Sequence, residues 1–266
     1  MALFKIPSDT NDLLVHTDIL RGMKFPLTDK TKFLNSHEEF ISTLIGSGNI
    51  YYPAFNYDCL KTGLFNVNKD PIQVGLLNEY LRVEKKFKRN LFPVFSFISK
   101  SNFDYEKFQG GSVVDPFGQE SLFHSLYLNN AYLIHYGSPL SSSTIIHYVE
   151  RISDRLFYRY DKYFDLKIIL ENESIDVSLK YHVRPMGLSL EYDWYRLEKD
   201  LLENRLLSVY ESGRSRILGI KIKELVDFWN YQLSRNPFYL LDHKTQETVE
   251  KKLNQLGRGF DLKDFE

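Results

Sequence analysis

The chain of 266 residues contains a single cysteine, Cys59, and therefore cannot form an internal disulfide bond. No apolar run approaches the roughly 20 residues that a membrane-spanning helix requires. The N-terminus, MALFKIPSDTND, lacks the charged segment followed by an apolar segment that marks a secretory signal peptide. Together these absences lead us to expect a cytoplasmic protein with no membrane partner.

An excess of charge of either sign is also missing. The formal net charge is −1 at pH 7, and the Lys and Arg residues are spread along the chain. Nucleic-acid-binding proteins usually carry a basic surplus, so we expect no nucleic-acid partner. A protein that gathers polycationic ligands is often clearly acidic, which this one is not. Hydrophobic residues make up 43% and charged residues 26%, as in a globular protein with a sizeable core.

The common catalytic motifs are absent as well. The sequence has no G-x-S-x-G nucleophile elbow, no G-x-x-x-x-G-K-[ST] phosphate loop and no G-x-G-x-x-G dinucleotide fingerprint. The stretch HEEF at 37–40 lacks the second His of a zinc-protease motif, and no His or Cys spacing indicates zinc. We therefore expect no metal ion.

What the first part of the chain does contain is an alternation of short apolar segments. The pattern predicts strands over 12–20, 49–57, 92–99 and 131–137, and helices over 37–48, 72–82, 121–129 and 144–156. This alternation is typical of an α/β fold with a largely parallel central sheet flanked by helices.

The pattern changes after residue 157. Residues 165–184 predict an antiparallel excursion with a turn at ENES, and residues 193–210 and 219–235 predict helices. We expect a single domain over 1–266, with an α/β core over 1–156 and a smaller antiparallel and helical C-terminal lobe over 157–266.

One stretch, SSSTIIHYVE at 141–150, follows a predicted strand and opens a predicted helix. Ser142, Ser143 and Thr144 are candidates for the helix N-cap, and the first-turn N–H groups are suited to an anion. His147 and Glu150 are three residues apart and so share one helix face. That face is either a solvated surface with a His–Glu contact or the wall of a cleft, where a neutral His held by a carboxylate acts as a general base.

Over most of its length the chain resembles the aminoglycoside 3-N-acetyltransferase family. The resemblance is carried, in order, by LLVHTDI, IYYPAFNY, DPIQVGLLNEYLR, KRNLFPVFSF, FGQESLFHSLY, AYLIHYGSPLSSSTIIHYVE, FYRYDKYF and DWYRLEKDLL. Two positions depart from the family pattern: Ala54 stands where Thr is usual, and Phe92 stands where His is expected.

The resemblance implies an acyl-CoA-dependent N-acyltransferase with His147 as general base and Glu150 as its partner. It implies that a CoA thioester, acetyl-CoA or a longer acyl-CoA, binds at the carboxyl edge of the sheet. The acceptor amine attacks the thioester carbonyl directly, with no covalent enzyme intermediate. Thr17, Ser121 and Thr144 are candidates to stabilise the oxyanion or contact the donor.

Four further residues are weaker candidates, and each keeps a structural alternative. Asp18, like Thr17, is a candidate to line the donor channel. The alternative is that these residues form a turn at the end of a strand. Arg89 aligns with a family Arg and is a candidate for the CoA phosphates, with a solvated basic face as the alternative. Arg159 and Asp193 are candidates for the acceptor, with a structural ion pair and a helix N-cap as their respective alternatives.

For the acceptor we favour an amino sugar, expected to be nucleotide-linked and used in surface polysaccharide biosynthesis. The near-neutral charge disfavours a polycation, and aromatic residues in EYDWY (191–195) suit a sugar or base. The alternative acceptor is an aminoglycoside antibiotic. Two other classes stay open: a hydrolase that uses Ser142 or Ser143 with His147 and Glu150, and a non-catalytic CoA- or sugar-binding protein.

Overall fold

The computed structural model describes residues 4–103, 110–153 and 156–265. The strands are β1 (Asp12–Thr17), β2 (Asn49–Pro53), β3 (Leu64–Asn66), β4 (Lys88–Arg89), β5 (Phe97–Ser99), β6 (Ser112–Val114), β7 (Tyr132–Tyr136), β8 (Tyr160–Ile169), β9 (Ser174–Val183), β10 (Ser208–Ser212) and β11 (Ser215–Lys221). The α-helices are α1 (Lys30–Thr43), α2 (Cys59–Thr62), α3 (Leu76–Val83), α4 (Leu122–Leu128), α5 (Ile145–Ile152), α6 (Trp194–Glu203), α7 (Ile222–Arg235) and α8 (His243–Leu256). Short 3₁₀ helices cover Leu140–Ser142 and Leu262–Asp264.

Seven strands form the central sheet, in the order β10-β11-β7-β1-β2-β5-β4. Strand β1 pairs in parallel with both β7 and β2. Antiparallel pairing then adds β5 and β4 on one side and β11 and β10 on the other. The predicted α/β fold is confirmed, with parallel pairing confined to the three central strands.

The second sheet has the order β3-β8-β9-β6. Its centre is the long antiparallel hairpin of β8 and β9, in register from Tyr160↔Val183 to Ile169↔Ser174. The antiparallel excursion predicted over 165–184 is therefore present, although its first strand begins earlier. Strands β3 and β6, from the first half of the chain, pair in parallel with the outer edges of the hairpin.

Two parts of the predicted pattern are wrong. The helix predicted over 193–210 ends at Glu203. The hairpin of β10 and β11 occupies 208–221 and so replaces the last residues of that predicted helix and the first residues of the helix predicted over 219–235. Gly213, with φ +60°, makes the hairpin turn, and Leu218 and Ile220 are buried. The strand predicted over 92–99 is shortened to β5, because Val94 adopts φ +66° and interrupts it.

Helices cover both faces of the central sheet. Alternate residues of β1 divide between two hydrophobic clusters: Leu13 and Val15 join the cluster that includes α1 and α3, whereas Leu14 joins the cluster that includes α4, α5 and α7. A third cluster joins β8 to α8. No helix within the described residues is long and apolar enough to cross a membrane.

The carboxyl ends of β1, β2 and β7 lie at one edge of the sheet, as in other parallel sheets that bind ligands there. Gly137 brings two of these ends together. It has φ +77°, and a Cβ at this position would lie 2.1 Å from the carbonyl oxygen of Asp18. The close approach lets β7 turn away directly beside the end of β1, which places Thr17 near Ser138.

Candidate active site

Helix α5 begins shortly after β7 and carries the predicted His–Glu pair. Its apolar side chains Ile145, Ile146 and Val149 are buried against the core. Glu150 is only 1% exposed, so the helix face that it shares with His147 is not the solvated surface considered above. The side chain of His147 remains 28% exposed and lines a cavity.

A buried ion-pair network surrounds His147. The imidazole Nδ1 lies 2.9 Å from Glu150 Oε2, and Arg159 Nε lies 2.8 Å from the same oxygen. The side chains of Glu150 and Arg159 are 0% and 6% exposed, respectively. The structural ion pair considered for Arg159 is therefore present, and its partner is the carboxylate that holds His147.

Tyr192 completes this network, although the sequence analysis assigned it no role beyond membership of an aromatic segment. Its hydroxyl donates to Glu150 Oε1 at 2.8 Å and accepts from Arg159 Nη2 at 2.6 Å. It also lies 3.4 Å from His147 Nδ1. Because Tyr192 follows the β8/β9 hairpin and Arg159 precedes it, the ends of the hairpin fix the position of the α5 pair.

The protonation states follow from this arrangement. Burial alone would raise the pKa of Glu150, but the Arg159 guanidinium and the His147 hydrogen bond outweigh it and lower the pKa to about 2. Burial lowers the pKa of His147 below its usual range, and the hydrogen bond with Glu150 opposes that shift. An ionised Glu150 accepts from Nδ1–H of a neutral His147, which leaves Nε2 unprotonated and available to take a proton.

Two cavities lie in this part of the molecule, and His147 lines the second of them. The first, which we call the hydroxyl cavity, has a volume of about 300 Å³, and its lining includes His16, Thr17, Asn78, Ser141, Ser142 and Thr144. The second, the hairpin cavity, has a volume of about 810 Å³, and its lining includes His147, Arg159, Lys162, Tyr181, Arg184 and Tyr192. Tyr57 lines both cavities, so the two adjoin at this residue.

Of the donor candidates, Thr17 and Thr144 line the hydroxyl cavity. Thr17 Oγ1 donates to Asn78 Oδ1 at 3.0 Å. Asp18 instead closes a turn: its backbone N–H donates to the Tyr136 carbonyl, and its carboxylate accepts from Leu20 N–H. The structure favours the strand-end turn for Asp18.

Arg89 and Ser121 are buried and lie outside both cavities. The Arg89 guanidinium donates to Ser96 Oγ and to the carbonyls of Asp70 and Ala54. Burial lowers the pKa of Arg89 to about 10. Because its donors face protein acceptors, Arg89 is placed as a structural residue rather than a ligand for CoA phosphates or part of a solvated basic face.

Ser121 caps α4, since its hydroxyl accepts from His124 N–H and donates to the Gly118 carbonyl. Asp193 likewise caps α6, with its carboxylate accepting from Arg196 N–H at 3.0 Å. For Asp193 this placement favours the helix N-cap that was the alternative to acceptor binding, and for Ser121 it shows a capping role.

The serine-rich turn agrees with the prediction only in part. Thr144 occupies the N-cap position of α5, but its side chain makes no capping hydrogen bond, and the N–H groups of Ile146 and His147 donate to the carbonyls of Ser143 and Thr144. The Ser143 hydroxyl instead lies 2.7 Å from His135 Nε2, and Ser142 Oγ lies 3.1 Å from His135 Nδ1. Both hydroxyls therefore contact His135 rather than His147. The geometry does not support a hydrolase in which Ser142 or Ser143 is the nucleophile and His147 is the base.

The sequence alone did not reveal two other residues of the hydroxyl cavity, the polar Asn78 and the neighbouring Gly75. Gly75 has φ +78°, and a Cβ there would lie 2.9 Å from Thr17 Oγ1 and 2.8 Å from Asn78 Nδ2. Only glycine therefore leaves this wall of the cavity open. The apolar-Gly-apolar pattern before α3 was the one available signal.

A neutral histidine held by a buried carboxylate lines a cavity of this α/β fold, an arrangement that is suited to taking a proton from a reacting group. Within the described residues, no cluster of three or more His, Cys, Asp or Glu side chains is suited to a metal ion.

Comparison with known proteins identifies the particular family. Residues 49–234 match the family model described as aminoglycoside 3-N-acetyltransferase. Because this match spans more than half of the chain, the protein belongs to that family and is an N-acyltransferase that uses an acyl-CoA donor. The non-catalytic binding protein considered from the sequence is thereby excluded.

Solved structures show the same fold at low sequence identity. AAC-IIIb in binary complex with CoASH has a TM-score of 0.66 at 16% identity, over 85% of this chain and 90% of that one. The YokD protein from Bacillus subtilis has a TM-score of 0.63 at 16% identity, over 85% and 88%. A mutant of AAC(3)-IVa in complex with a gentamicin has a TM-score of 0.66 at 16% identity, over 90% and 86%. No curated protein sequence matches the chain.

Proposed function

We propose that this protein transfers an acyl group from acyl-CoA to the amino group of an amino sugar, with His147 as the general base. The observation that carries the proposal is the position of His147. Its imidazole faces the hairpin cavity, its Nδ1 is fixed by Glu150, and the hydroxyl cavity adjoins through Tyr57. We assign one cavity to the donor and the other to the acceptor, with the base in the wall of the hairpin cavity.

The hydroxyl cavity fits the pantetheine arm of the donor, because Thr17, Ser141 and Asn78 offer hydrogen bonds to its amides. The solved AAC-IIIb structure with CoASH shows that a protein of this fold accommodates CoA. Acyl-CoA would supply the activated thioester carbonyl, with CoA as the leaving group. In the reaction, the acceptor nitrogen forms a bond to that carbonyl carbon, and the C–S bond breaks.

His147 Nε2 takes the proton from the attacking nitrogen, and the released thiolate takes up a proton to leave as the free thiol. Glu150 and Arg159 stay ionised throughout, and Glu150 stabilises the imidazolium that forms. A general base of this kind contributes about 10²- to 10⁴-fold to the rate.

For the acceptor we propose a nucleotide-linked amino sugar, of the kind used to build surface polysaccharides. Within the described part of the chain, the lining of the hairpin cavity includes no Asp or Glu, whereas Arg159, Lys162 and Arg184 are all cationic. Asp193, the carboxylate expected near the acceptor, is occupied as a helix cap. Among the described lining residues, a ligand with several positive charges would meet no compensating carboxylate.

An aminoglycoside is the second candidate acceptor. It is favoured by membership of the aminoglycoside 3-N-acetyltransferase family and by the likeness to an enzyme in complex with a gentamicin. The two candidate acceptors differ in charge. The nucleotide-linked sugar carries anionic phosphates, whereas an aminoglycoside carries several ammonium groups.

The test is thiol release from acetyl-CoA and from 3-hydroxybutyryl-CoA, with nucleotide-linked amino sugars in one series and aminoglycosides in the other. We expect release with amino sugars, and mass spectrometry should show one added acyl group. His147→Gln should lower turnover by about 10²- to 10⁴-fold. The matched control is His243→Gln, because His243 is 87% exposed and lies outside both cavities.

Three outcomes would count against parts of the proposal. Release with aminoglycosides alone would establish the second candidate. Normal turnover in a folded His147→Gln protein would remove His147 from the role of base. A thiol release independent of any acceptor would indicate a thioesterase.

A further inference from the structure

The thioester of the donor and the amine of the acceptor have to meet where the two cavities adjoin. In the proposed function the donor occupies the hydroxyl cavity, whereas His147, the base, lines the hairpin cavity. Among the described residues, only Tyr57 lines both cavities, and it is 42% exposed. Its side chain therefore lies where the acyl group passes from one substrate to the other.

Most polar side chains of the hydroxyl cavity already donate their protons within the protein. Thr17 Oγ1 donates to Asn78 Oδ1 at 3.0 Å, and Asn78 Nδ2 donates to backbone carbonyls. Ser138 Oγ and Ser142 Oγ donate to backbone carbonyls at 3.1 and 2.9 Å, and Thr144 Oγ1 has a longer contact of 3.5 Å with a carbonyl. The hydroxyl oxygens can still accept a hydrogen bond, but their protons are not directed at a ligand.

The first turn of α5 is engaged in a similar way. The N–H groups of Ile146 and His147 donate to the carbonyls of Ser143 and Thr144 at 3.2 and 3.1 Å. These two N–H groups are therefore not free to stabilise an oxyanion.

The hydroxyl of Tyr57, in contrast, keeps its proton for a ligand. Within the described part of the chain no group accepts a hydrogen bond from it. The residue is held by its backbone N–H, which donates to Gln73 Oε1 at 2.7 Å, and by its ring, whose centre lies 6.5 Å from that of Phe55 and 6.1 Å from that of Phe95. Burial and the neighbouring Tyr181 raise the pKa of Tyr57 to about 12, so the hydroxyl is a donor near neutral pH.

We propose that the Tyr57 hydroxyl donates a hydrogen bond to the oxyanion that forms on the thioester carbonyl. This inference rests on the proposed function and adds a catalytic residue to it. The acceptor nitrogen bonds to the carbonyl carbon, and the electron pair of the C=O double bond moves onto oxygen. The double bond then reforms as the C–S bond breaks. Tyr57 keeps its proton throughout, because the proton of the nitrogen goes to His147.

A donor in this position acts mainly on the transition state. The carbonyl oxygen of the bound thioester is a weak acceptor, and the hydrogen bond strengthens as negative charge develops on it. Loss of the hydroxyl should therefore lower kcat much more than it changes the binding of either substrate.

The experiment is steady-state thiol release by wild type and by Tyr57→Phe, which removes the hydroxyl and keeps the ring. We expect kcat to fall about 10²- to 10³-fold, the loss typical of one oxyanion donor, with KM for acetyl-CoA and for the acceptor near their wild-type values. Tyr163→Phe is the matched control and should keep wild-type turnover, because Tyr163 is 55% exposed on β8 and lines neither cavity.

Binding of an analogue gives a second measurement that needs no turnover. The probe is a CoA thioether that carries a trifluoromethyl ketone, whose hydrate is tetrahedral and ionises readily, and CoA itself is the reference ligand. By calorimetry, the affinity for the probe should fall about 10- to 10²-fold in Tyr57→Phe, the equivalent of one hydrogen bond to a charged group. The affinity for CoA should stay unchanged.

Three results would overturn the assignment of Tyr57. The first is an unchanged kcat in a folded Tyr57→Phe protein. The second is a rise in acceptor KM without a fall in kcat, which would assign the hydroxyl to acceptor binding. The third is a fall in kcat in Ser141→Ala but not in Tyr57→Phe, which would assign the oxyanion to Ser141, a residue that of the two cavities lines only the hydroxyl cavity.

A failure of the proposed function would look different. If no acceptor supports thiol release by the wild type, the proposed function fails, and a loss of probe affinity in Tyr57→Phe would still support the hydroxyl as an oxyanion donor. If His147→Gln loses turnover while Tyr57→Phe retains it, the proposed function stands and Tyr57 is removed from the reaction.

Discussion

Glu150 holds His147 and Arg159 through one oxygen: Oε2 lies 2.9 Å from His147 Nδ1 and 2.8 Å from Arg159 Nε. The permanent charge of Arg159 keeps the carboxylate ionised, since the pKa of Glu150 falls to about 2. An ionised carboxylate in turn fixes the imidazole in the tautomer that presents Nε2 to the cavity. The buried cation therefore acts on the base through the carboxylate between them.

Removal of the Glu150 charge should damage both stability and catalysis. In Glu150→Gln the buried Arg159 loses its counter-charge, and loss of one partner of a buried pair typically costs about 3–5 kcal/mol. Turnover should fall because the amide no longer stabilises the imidazolium of His147. Urea unfolding and thiol-release kinetics would measure the two effects.

The pH profile separates this electrostatic effect from simple misfolding. Because the carboxylate opposes the lowering of the His147 pKa, its loss should lower that pKa further. The acid limb of kcat/KM should therefore move to lower pH in Glu150→Gln, even as the plateau falls. An unmoved acid limb in a folded variant would show that Glu150 does not act on the base.

Tyr192→Phe should reveal a positioning residue. The substitution removes the hydroxyl that donates to Glu150 Oε1 and accepts from Arg159 Nη2, and it leaves the ring in place. Buried partners left unsatisfied cost about 1–3 kcal/mol. We expect a fall in kcat and a shift in the acid limb of kcat/KM, with KM for acetyl-CoA unchanged.

The matched control for Tyr192 is Tyr127→Phe. Tyr127 also donates its hydroxyl to a carboxylate, that of Asp227 at 2.8 Å, but it lies outside both cavities. A comparable kinetic change in both variants would argue that the effect of Tyr192 is general destabilisation.

Thr17→Val tests the assignment of the hydroxyl cavity to the donor. Valine keeps the shape of the side chain but removes the hydroxyl that donates to Asn78 Oδ1. We expect KM for acetyl-CoA to rise about three- to tenfold, the equivalent of one neutral hydrogen bond, with KM for the acceptor unchanged. An increase confined to the acceptor KM would exchange the proposed functions of the two cavities.

Stability should depend on pH through His16. Its imidazole is 6% exposed and stacks on His135 with ring centres 5.3 Å apart, and burial lowers its pKa from 6.5 to about 4. The native state therefore binds this proton more weakly than the unfolded state. The free energy of unfolding should fall as pH decreases from about 6.5 through about 4, by up to roughly 1.4 kcal/mol per pH unit for this one group.

His16→Gln isolates that contribution, since the variant has no imidazole to protonate at this position. Urea unfolding at several pH values should show a shallower slope than in wild type between pH 6.5 and 4. His243→Gln, which alters an exposed imidazole, should retain the wild-type slope. Identical slopes for wild type and His16→Gln would contradict the assignment.

Local patterns predicted the elements that carry the chemistry. The spacing of His147 and Glu150 on one helix was sufficient to predict their contact, because residues three apart on a helix are neighbours whatever surrounds them. The alternating apolar pattern likewise predicted β1, β2 and β7, and the resemblance spread over most of the chain identified the family. The apolar-Gly-apolar segment indicated α3, although not the open wall that Gly75 provides.

Only the tertiary structure determined the surroundings of His147 and Glu150. Whether the face of α5 is solvated or buried depends on Arg159 and Tyr192, which lie further along the chain and meet Glu150 only because the β8/β9 hairpin folds back. The charge of the hairpin cavity is equally a property of the fold, since the chain as a whole is near neutral. Sequence periodicity records which side of an element is apolar, but only packing between distant segments determines which charges share a cavity.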